Sequence, residues 1–287
     1  YEFPVNQSGT YWYHAHFESW KQVAKGLYGP LVVNDETDDF IEDDIVILAD
    51  DWRLNKKYQI DEKSFGSLMD WSHAGRVGNW LTINGKKSPQ YSIKENSIAR
   101  LRFINASNAR ILKFGSSLKN NNIIAIDGFA INPMSVKDFT LAPGQRIDLL
   151  INTVDLLKVD FFEISHTKQL KVFTLNVTKA DNKTKDITNI NFTSNWILPK
   201  SDNAKTISIR MQGGAMGNLS KANLDGVEKD FRTLATEDKK LWAFNKAIGS
   251  YEYLLATVKL NQVVIIDVWN DTRWPHSMHL HGNHFFV

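Results

Sequence analysis

Five of the eight histidines in this 287-residue chain fall in two short segments near its opposite ends. Trp274-Pro275-His276-Ser277-Met278-His279-Leu280-His281-Gly282 carries three of them, and Gly9-Thr10-Tyr11-Trp12-Tyr13-His14-Ala15-His16 carries the other two. Neutral imidazole is the common nitrogen ligand for copper, zinc and iron. A single His-x-His is a weak signal, because half-buried strands often carry one by chance. Two such pairs joined by His276 point to metal binding. Both segments have strand-like surroundings, where alternate side chains share a face. His14 is therefore expected to project with His16, and His279 with His281, and pairs of this kind suit a polynuclear site.

The elements that must position these residues read as strands. Residues 1–34 look like the tail of a β domain, with Tyr11 to His16 and Gly29-Pro30-Leu31-Val32-Val33 as its strands. The acidic run Asp35 to Asp44 reads as a solvated linker. From Ile45 to Val177, short apolar runs recur at Ile45–Leu48, Trp80–Ile83, Ile98–Ile104, Ile123–Ile126, Phe139–Leu141, Ile147–Ile151 and Val172–Val177. Turn pairs Asn84-Gly85, Asp127-Gly128 and Pro143-Gly144 separate several of them, at the spacing of a β-sandwich. No convincing helical period intervenes, although Asp61 to Gly75 has room for a loop with a helical turn. Thr178 to Lys205 is polar and suits a linker. Beyond it, Ile207-Ser208-Ile209, Leu241-Trp242-Ala243-Phe244-Asn245 and Val263–Val268 are strand candidates. The stretch from Gly213-Gly214 to about Lys240 is weakly patterned, an extended loop or short helix.

Composition narrows the function classes. A net charge of +2 from well-mixed residues leaves no basic stripe for nucleic acid. No apolar run reaches the roughly 18–20 residues of a membrane-spanning helix. The chain contains no cysteine, which removes disulfides, thiolate ligands and a cysteine nucleophile together. Seven Asn-x-Ser/Thr triplets, at Asn6, Asn105, Asn176, Asn182, Asn191, Asn218 and Asn270, are expected as chance matches in an Asn-rich chain.

The two His segments resemble the second and third copper motifs of the multicopper oxidases, the family of laccases, ferroxidases and cuprous oxidases. The resemblance continues between them in order and spacing. Ile83-Asn84-Gly85 with Pro89, Arg100-Leu101-Arg102-Phe103-Ile104-Asn105-Ala106, Ile126-Asp127-Gly128 and Leu141-Ala142-Pro143-Gly144-Gln145-Arg146-Ile147-Asp148 resemble that family's middle domain. It implies an all-β fold of cupredoxin-like Greek-key β-sandwich domains in a three-domain enzyme. Residues 1–40 would end domain 1, 41–178 would form domain 2, 179–205 would link, and 206–287 would begin domain 3. The resemblance assigns His14 and His16 to the type 3 coppers, His276 to the type 1 copper, His279 to the type 2 copper and His281 to a type 3 copper. It implies one-electron oxidation of a small reducing substrate, a phenol or a metal ion, coupled to reduction of O2 to water. A periplasmic or extracellular setting goes with it.

The family's first motif, His-x-His-Gly, and its fourth, which carries the type 1 Cys, have no counterpart here. Together with the abrupt ends, this suggests the central part of a longer enzyme, inactive by itself. The alternatives are a cysteine-less copper-binding or scaffold relative, and a copper nitrite reductase, which the spacing between the motifs fits poorly. Of the remaining histidines, His73 and His166 read as structural or surface residues, with His73 also placed to border a substrate approach. His284 is expected on the strand of the third motif as a supporting group. Met278 reads as packing, and Met211 with Met216 are too few for a Met-rich copper-binding insert.

Overall fold

The computed structural model describes residues 2–34, 38–165, 167–180, 197–249 and 253–287. The chain divides into two compact units, Tyr1–Phe65 with Arg76–Asn195 and Gly66–Gly75 with Trp196–Val287. His166, Asn182 and Asn191 lie outside the described residues, as does most of the polar stretch read as a linker.

The apolar runs of the first unit become a two-sheet sandwich. One sheet has the order Trp80–Ile83, Asp43–Trp52, Ile98–Asn105, Arg146–Asn152, Asn121–Ile126, Phe129–Val136. The other has the order Asp138–Leu141, Leu112–Ser116, Lys158–Glu163, Leu170–Thr178, Gln90–Lys94. Antiparallel pairs dominate, but Asp43–Trp52 runs parallel to Ile98–Asn105, and Leu170–Thr178 parallel to Gln90–Lys94. Both parallel pairs join strands that are not consecutive in the chain. Ile47, Leu101, Phe103 and Leu149 of the first sheet meet Phe114, Phe161, Phe173 and Leu175 of the second in one buried core. Phe161 stacks on Phe173 at 4.5 Å between centroids, and Phe139 stands edge-on to Phe103 at 5.1 Å. The turn pairs behave as expected, with Asn84, Gly85, Asp127 and Gly128 all at positive φ.

Every residue of Ile98–Asn105 is buried. Leu101 and Phe103 point into the core, so Arg100 and Arg102 must occupy the opposite face, where each guanidinium needs an anionic partner. Arg102 Nε and Nη2 donate to the two Asp44 oxygens at 2.7 and 2.8 Å. Arg100 reaches Asp44 at 2.7 Å and Asp38 at 2.6 Å. The acidic run is therefore not simply a solvated linker. Asp38 and Asp44 are recruited because two buried arginines demand carboxylates, and these bonds hold the Asp44 carboxyl below its ordinary pKa against the opposing effect of burial.

The same network fastens the first His strand. Gly9–His14 pairs antiparallel with Tyr28–Val33. Thr10 on it is fully buried and donates to Asp148 Oδ1 at 2.7 Å, while its oxygen accepts from Arg102 Nη1 at 2.8 Å. Gly9 just before it has φ +148°, and a Cβ there would lie 2.2 Å from the Gly128 carbonyl oxygen. Gly9→Ala is expected to destabilise this unit by roughly 1–3 kcal/mol, through backbone strain at a packed contact. A chemical-denaturation midpoint unchanged from wild type would refute this account of the seat.

In the second unit a six-stranded sheet has the order Val227–Asp230, Lys221–Leu224, Ala247–Ile248, Trp242–Phe244, Lys205–Gly213, Val264–Asn270. Its small core gathers Leu219, Ala222, Leu224, Leu234, Ala243 and Ile248. The stretch before Lys240, read as an extended loop or short helix, does hold a short helix, Phe231–Thr236, but a hairpin of Lys221–Leu224 with Val227–Asp230 precedes it. The hairpin turns on Asp225-Gly226, both at positive φ. Its strands are short and expose alternate polar residues, so their periodicity is faint in the sequence. Asp61 to Gly75 does hold helical turns, Glu62–Ser64 and Leu68–Ser72. Gly66–Gly75 is fastened within the second unit: the Ser72 carbonyl accepts from Ala215 N at 2.6 Å, and the Trp71 carbonyl from Trp242 Nε1 at 2.8 Å.

Candidate metal centre

His14 is the last residue of its strand, opposite Tyr28, and His16 lies two residues past the strand end. Both are exposed. The expectation that they alternate along one strand thus holds only to His14, because the chain turns there into the helix Ser19–Gln22. The His14 ring lies 4.6 Å from that of Trp12, and its Nδ1 is 3.0 Å from the Ala15 carbonyl oxygen. A carbonyl only accepts, so Nδ1 carries the proton and Nε2 is the nitrogen left for a metal.

Behind His14 the strand pair leads to buried acids. Tyr28, whose ring is 6.3 Å from Trp12, donates its hydroxyl to Asp50 Oδ2. Burial, followed by the neighbouring carboxylates, raises the Tyr28 pKa. Burial also pushes Asp50 up to about 6, against the Tyr28 hydrogen bond that lowers it, while neighbouring Asp51 adds repulsion. Asp51 is held by Arg110 Nε at 2.8 Å and by the Gly78 amide.

A folded-state pKa above the unfolded value means that the folded protein binds the Asp50 proton more tightly. The contribution is full below the unfolded value near 3.8 and lost as pH rises through about 6. With about two units between them, it amounts to at most about 3 kcal/mol. Asp50→Asn should therefore flatten the fall in unfolding free energy between about pH 4 and 6 relative to wild type. Parallel curves for the two proteins would dismiss Asp50 as its source.

The third motif is placed differently from the strand expected for it. The strand Val264–Asn270 stops at Asn270, and the histidines follow in irregular backbone. Asn270 turns the chain by donating from Nδ2 to the Trp274 carbonyl at 2.8 Å and accepting the Thr272 amide at 3.1 Å. His276 is half-buried, edge-on to Trp242 at 4.9 Å, with Nε2 3.1 Å from Thr272 Oγ1. Burial holds its pKa below the ordinary histidine value, which favours the neutral ring a metal requires. His279 and His281 are paired, their ring centroids 5.7 Å apart and nearly perpendicular. His284 is exposed and not on a strand.

His73 sits at the end of the helix Leu68–Ser72, with Nδ1 2.9 Å from the Met69 carbonyl oxygen and its ring 5.0 Å from Trp274. Trp274 in turn donates from Nε1 to the Ala215 carbonyl at 3.1 Å. Sequence reasoning did not single out Thr272 or the Tyr28 and Asp50 pair, since nothing in their spacing marks them as neighbours of histidines. Among the described residues, no three His, Asp or Glu side chains converge as a ready-made ion site. The donors that do come together are one pair of imidazoles, His279 and His281, with no thiolate in the chain. That donor set fits part of a copper cluster.

Three family models for multicopper oxidases match the chain, over residues 1–38, 43–190 and 224–287, the middle match alone covering more than half of it. The chain belongs to the multicopper oxidase family. This membership implies copper as the metal. Laccase-2 of Cryptococcus neoformans var. grubii is 26% identical over 207 residues, covering 63% of this chain and 34% of that protein. The cell division protein FtsP of Escherichia coli is 32% identical over 161 residues, covering 52% of this chain and 33% of its own. The chain thus spans about a third of the length of these relatives. The crystal structure of a multi-copper oxidase from Pseudomonas thermotolerans superposes over 96% of this chain and 62% of its own, with a TM-score of 0.77 at 22% identity. A laccase-like multi-copper oxidase from Ochrobactrum gives a TM-score of 0.63 at 26% identity, over 73% of this chain and 50% of its own. These likenesses agree with the expected all-β cupredoxin-like architecture.

Proposed function

We propose that the whole protein is a laccase-like multicopper oxidase, with this chain supplying five of its copper ligands. Bound copper would supply one-electron oxidation of a small reducing substrate, a phenol or a metal ion, at a type 1 site and reduction of O2 to water at a three-copper cluster. His276 would hold the type 1 copper and His279 the type 2 copper. His281, His14 and His16 would hold the type 3 pair. Residues 1–40, 41–178 and 206–287 would belong to the first, second and third cupredoxin domains, with 179–205 as a linker. The third domain's pair is the observation that carries this reading. His279 and His281 lie against one another, while His276, three residues earlier, is turned onto Thr272 and Trp242. One short segment can thus address two centres.

Copper content and oxygen uptake of the full-length protein, with His279→Ala and His16→Ala, test the assignment. No helix among the described residues is long and apolar enough to cross a membrane. The family suits a periplasmic or extracellular setting. A second reading, a non-enzymatic copper-binding or scaffold protein, is favoured by the likeness to a relative named for cell division. Full copper occupancy without oxygen uptake under any reducing substrate would select it.

A further inference from the structure

The triplet Asn270-Asp271-Thr272 has the form of a glycan acceptor, yet its side chains are spent otherwise. Asn270 Nδ2 donates to the Trp274 carbonyl at 2.8 Å, and Asn270 Oδ1 accepts the Thr272 amide at 3.1 Å. These two bonds together fix which end of the amide is oxygen. Thr272 Oγ1 lies 2.6 Å from Asn270 Oδ1 and 3.0 Å from the Trp274 carbonyl oxygen, both acceptors only. The single hydroxyl proton is therefore committed to an acceptor. The hydroxyl's two lone pairs remain. One receives the Trp274 amide at 3.1 Å, and the other faces His276 Nε2 at 3.1 Å.

With its proton committed, Thr272 Oγ1 can only accept from His276. A bare Nε2 at 3.1 Å would set lone pair against lone pair. Nε2 must then carry the imidazole proton, and Nδ1 is the ring nitrogen with a lone pair to give. The anchoring runs further back. Arg210 Nη2 pairs with Asp271 at 2.6 Å, and the Asp271 amide donates to the Met211 carbonyl at 2.9 Å, so the turn is fixed to the sheet on which it stands. Edge-on Trp242 limits rotation of the ring from another side.

We propose that Thr272, set by Asn270, is a positioning residue that locks His276 in the Nε2–H form and presents Nδ1 to the type 1 copper. The inference rests on the assignment of His276 made above.

Imidazole 1H–15N correlation spectra of the copper-free full-length protein test the lock directly, with His276→Gln assigning the signal. The expected result for wild type is an Nε2–H proton that exchanges slowly with solvent. Thr272→Val should lose that protection, and Thr272→Ser should keep it. The valine variant should also bind copper at the type 1 site about 10–100-fold more weakly, the usual effect of removing a ligand's outer hydrogen-bond partner, with the serine variant restored. An Nδ1–H form in wild type overturns the proposal, and so does equal exchange in wild type and valine variant or unchanged copper affinity. The wild-type spectrum decides the tautomer even if the valine variant fails to fold. Because the spectra need no copper, failure of the ligand assignment appears separately, as a type 1 copper retained in His276→Ala.

Discussion

His279→Ala in the full-length protein should abolish oxygen reduction, lowering uptake at least ~1,000-fold, equivalent to about 4 kcal/mol of barrier, while the type 1 copper remains. The reasoning follows from the separation of the two halves of the third motif. His276 is held by Thr272 and Trp242, and neither contact involves His279. On the proposed assignment, loss of the His279 imidazole would leave His276 oriented and remove a donor from the oxygen-reducing cluster. His16→Ala should produce the same split phenotype from the other end of the chain. The checks are copper stoichiometry, type 1 absorption and oxygen consumption measured on one preparation. Turnover within tenfold of wild type in either variant would sink the assignment. Loss of the type 1 signal in His279→Ala would show that the two centres are not addressed separately.

Arg102→Ala is expected to be the costliest change to stability in the sandwich. Arg102 is fully buried, bridging Asp44 on one side and Asp148 with Thr10 on the other. Removing it leaves Asp148 nearly without water and without its nearest cation, and burial already raises that carboxyl's pKa against the pull of Arg102. Breaking one partner out of such a buried pair costs about 3–5 kcal/mol. Arg102→Lys should recover part of this, since one ammonium cannot replace a guanidinium that donates to three side chains. Denaturant unfolding followed through the sandwich tryptophans would measure it. A loss below about 1 kcal/mol would mean that water or a rearranged Arg100 takes over.

The effect should extend to the metal site. Thr10 lies four residues before His14 on the same strand, and its hydroxyl joins the Arg102 and Asp148 pair. The seating of the first His pair is therefore tied to the ion network of the sandwich. That connection was not visible in the chain. Arg100, Arg102 and Asp148 stood out only as parts of a resembling motif, because their partners are far away in sequence. Thr10 and Asp148, for example, are 138 positions apart.

What the chain determined by itself is the chemistry and the class of fold. Imidazoles at close spacing are legible because ligand type and spacing are local properties, and the alternation of Ile, Leu and Phe with turn pairs such as Asn84-Gly85 is local too. Strand bounds near Ile98, Ile147 and Val264 follow from the same periodicity. The weakly alternating hairpin around Asp225-Gly226 did not. Tertiary structure alone decided how the donors are presented. The third motif leaves its strand at Asn270 because an Asn and a Thr side chain capture the backbone there, and such capture looks like any polar turn until the partners are placed. It also decided that Gly66–Gly75 packs within the second unit, and that Asp38 and Asp44 pair with buried arginines. A residue's type limits which hydrogen bonds it can make, but only the fold brings the Thr272 hydroxyl together with Asn270, Trp274 and His276.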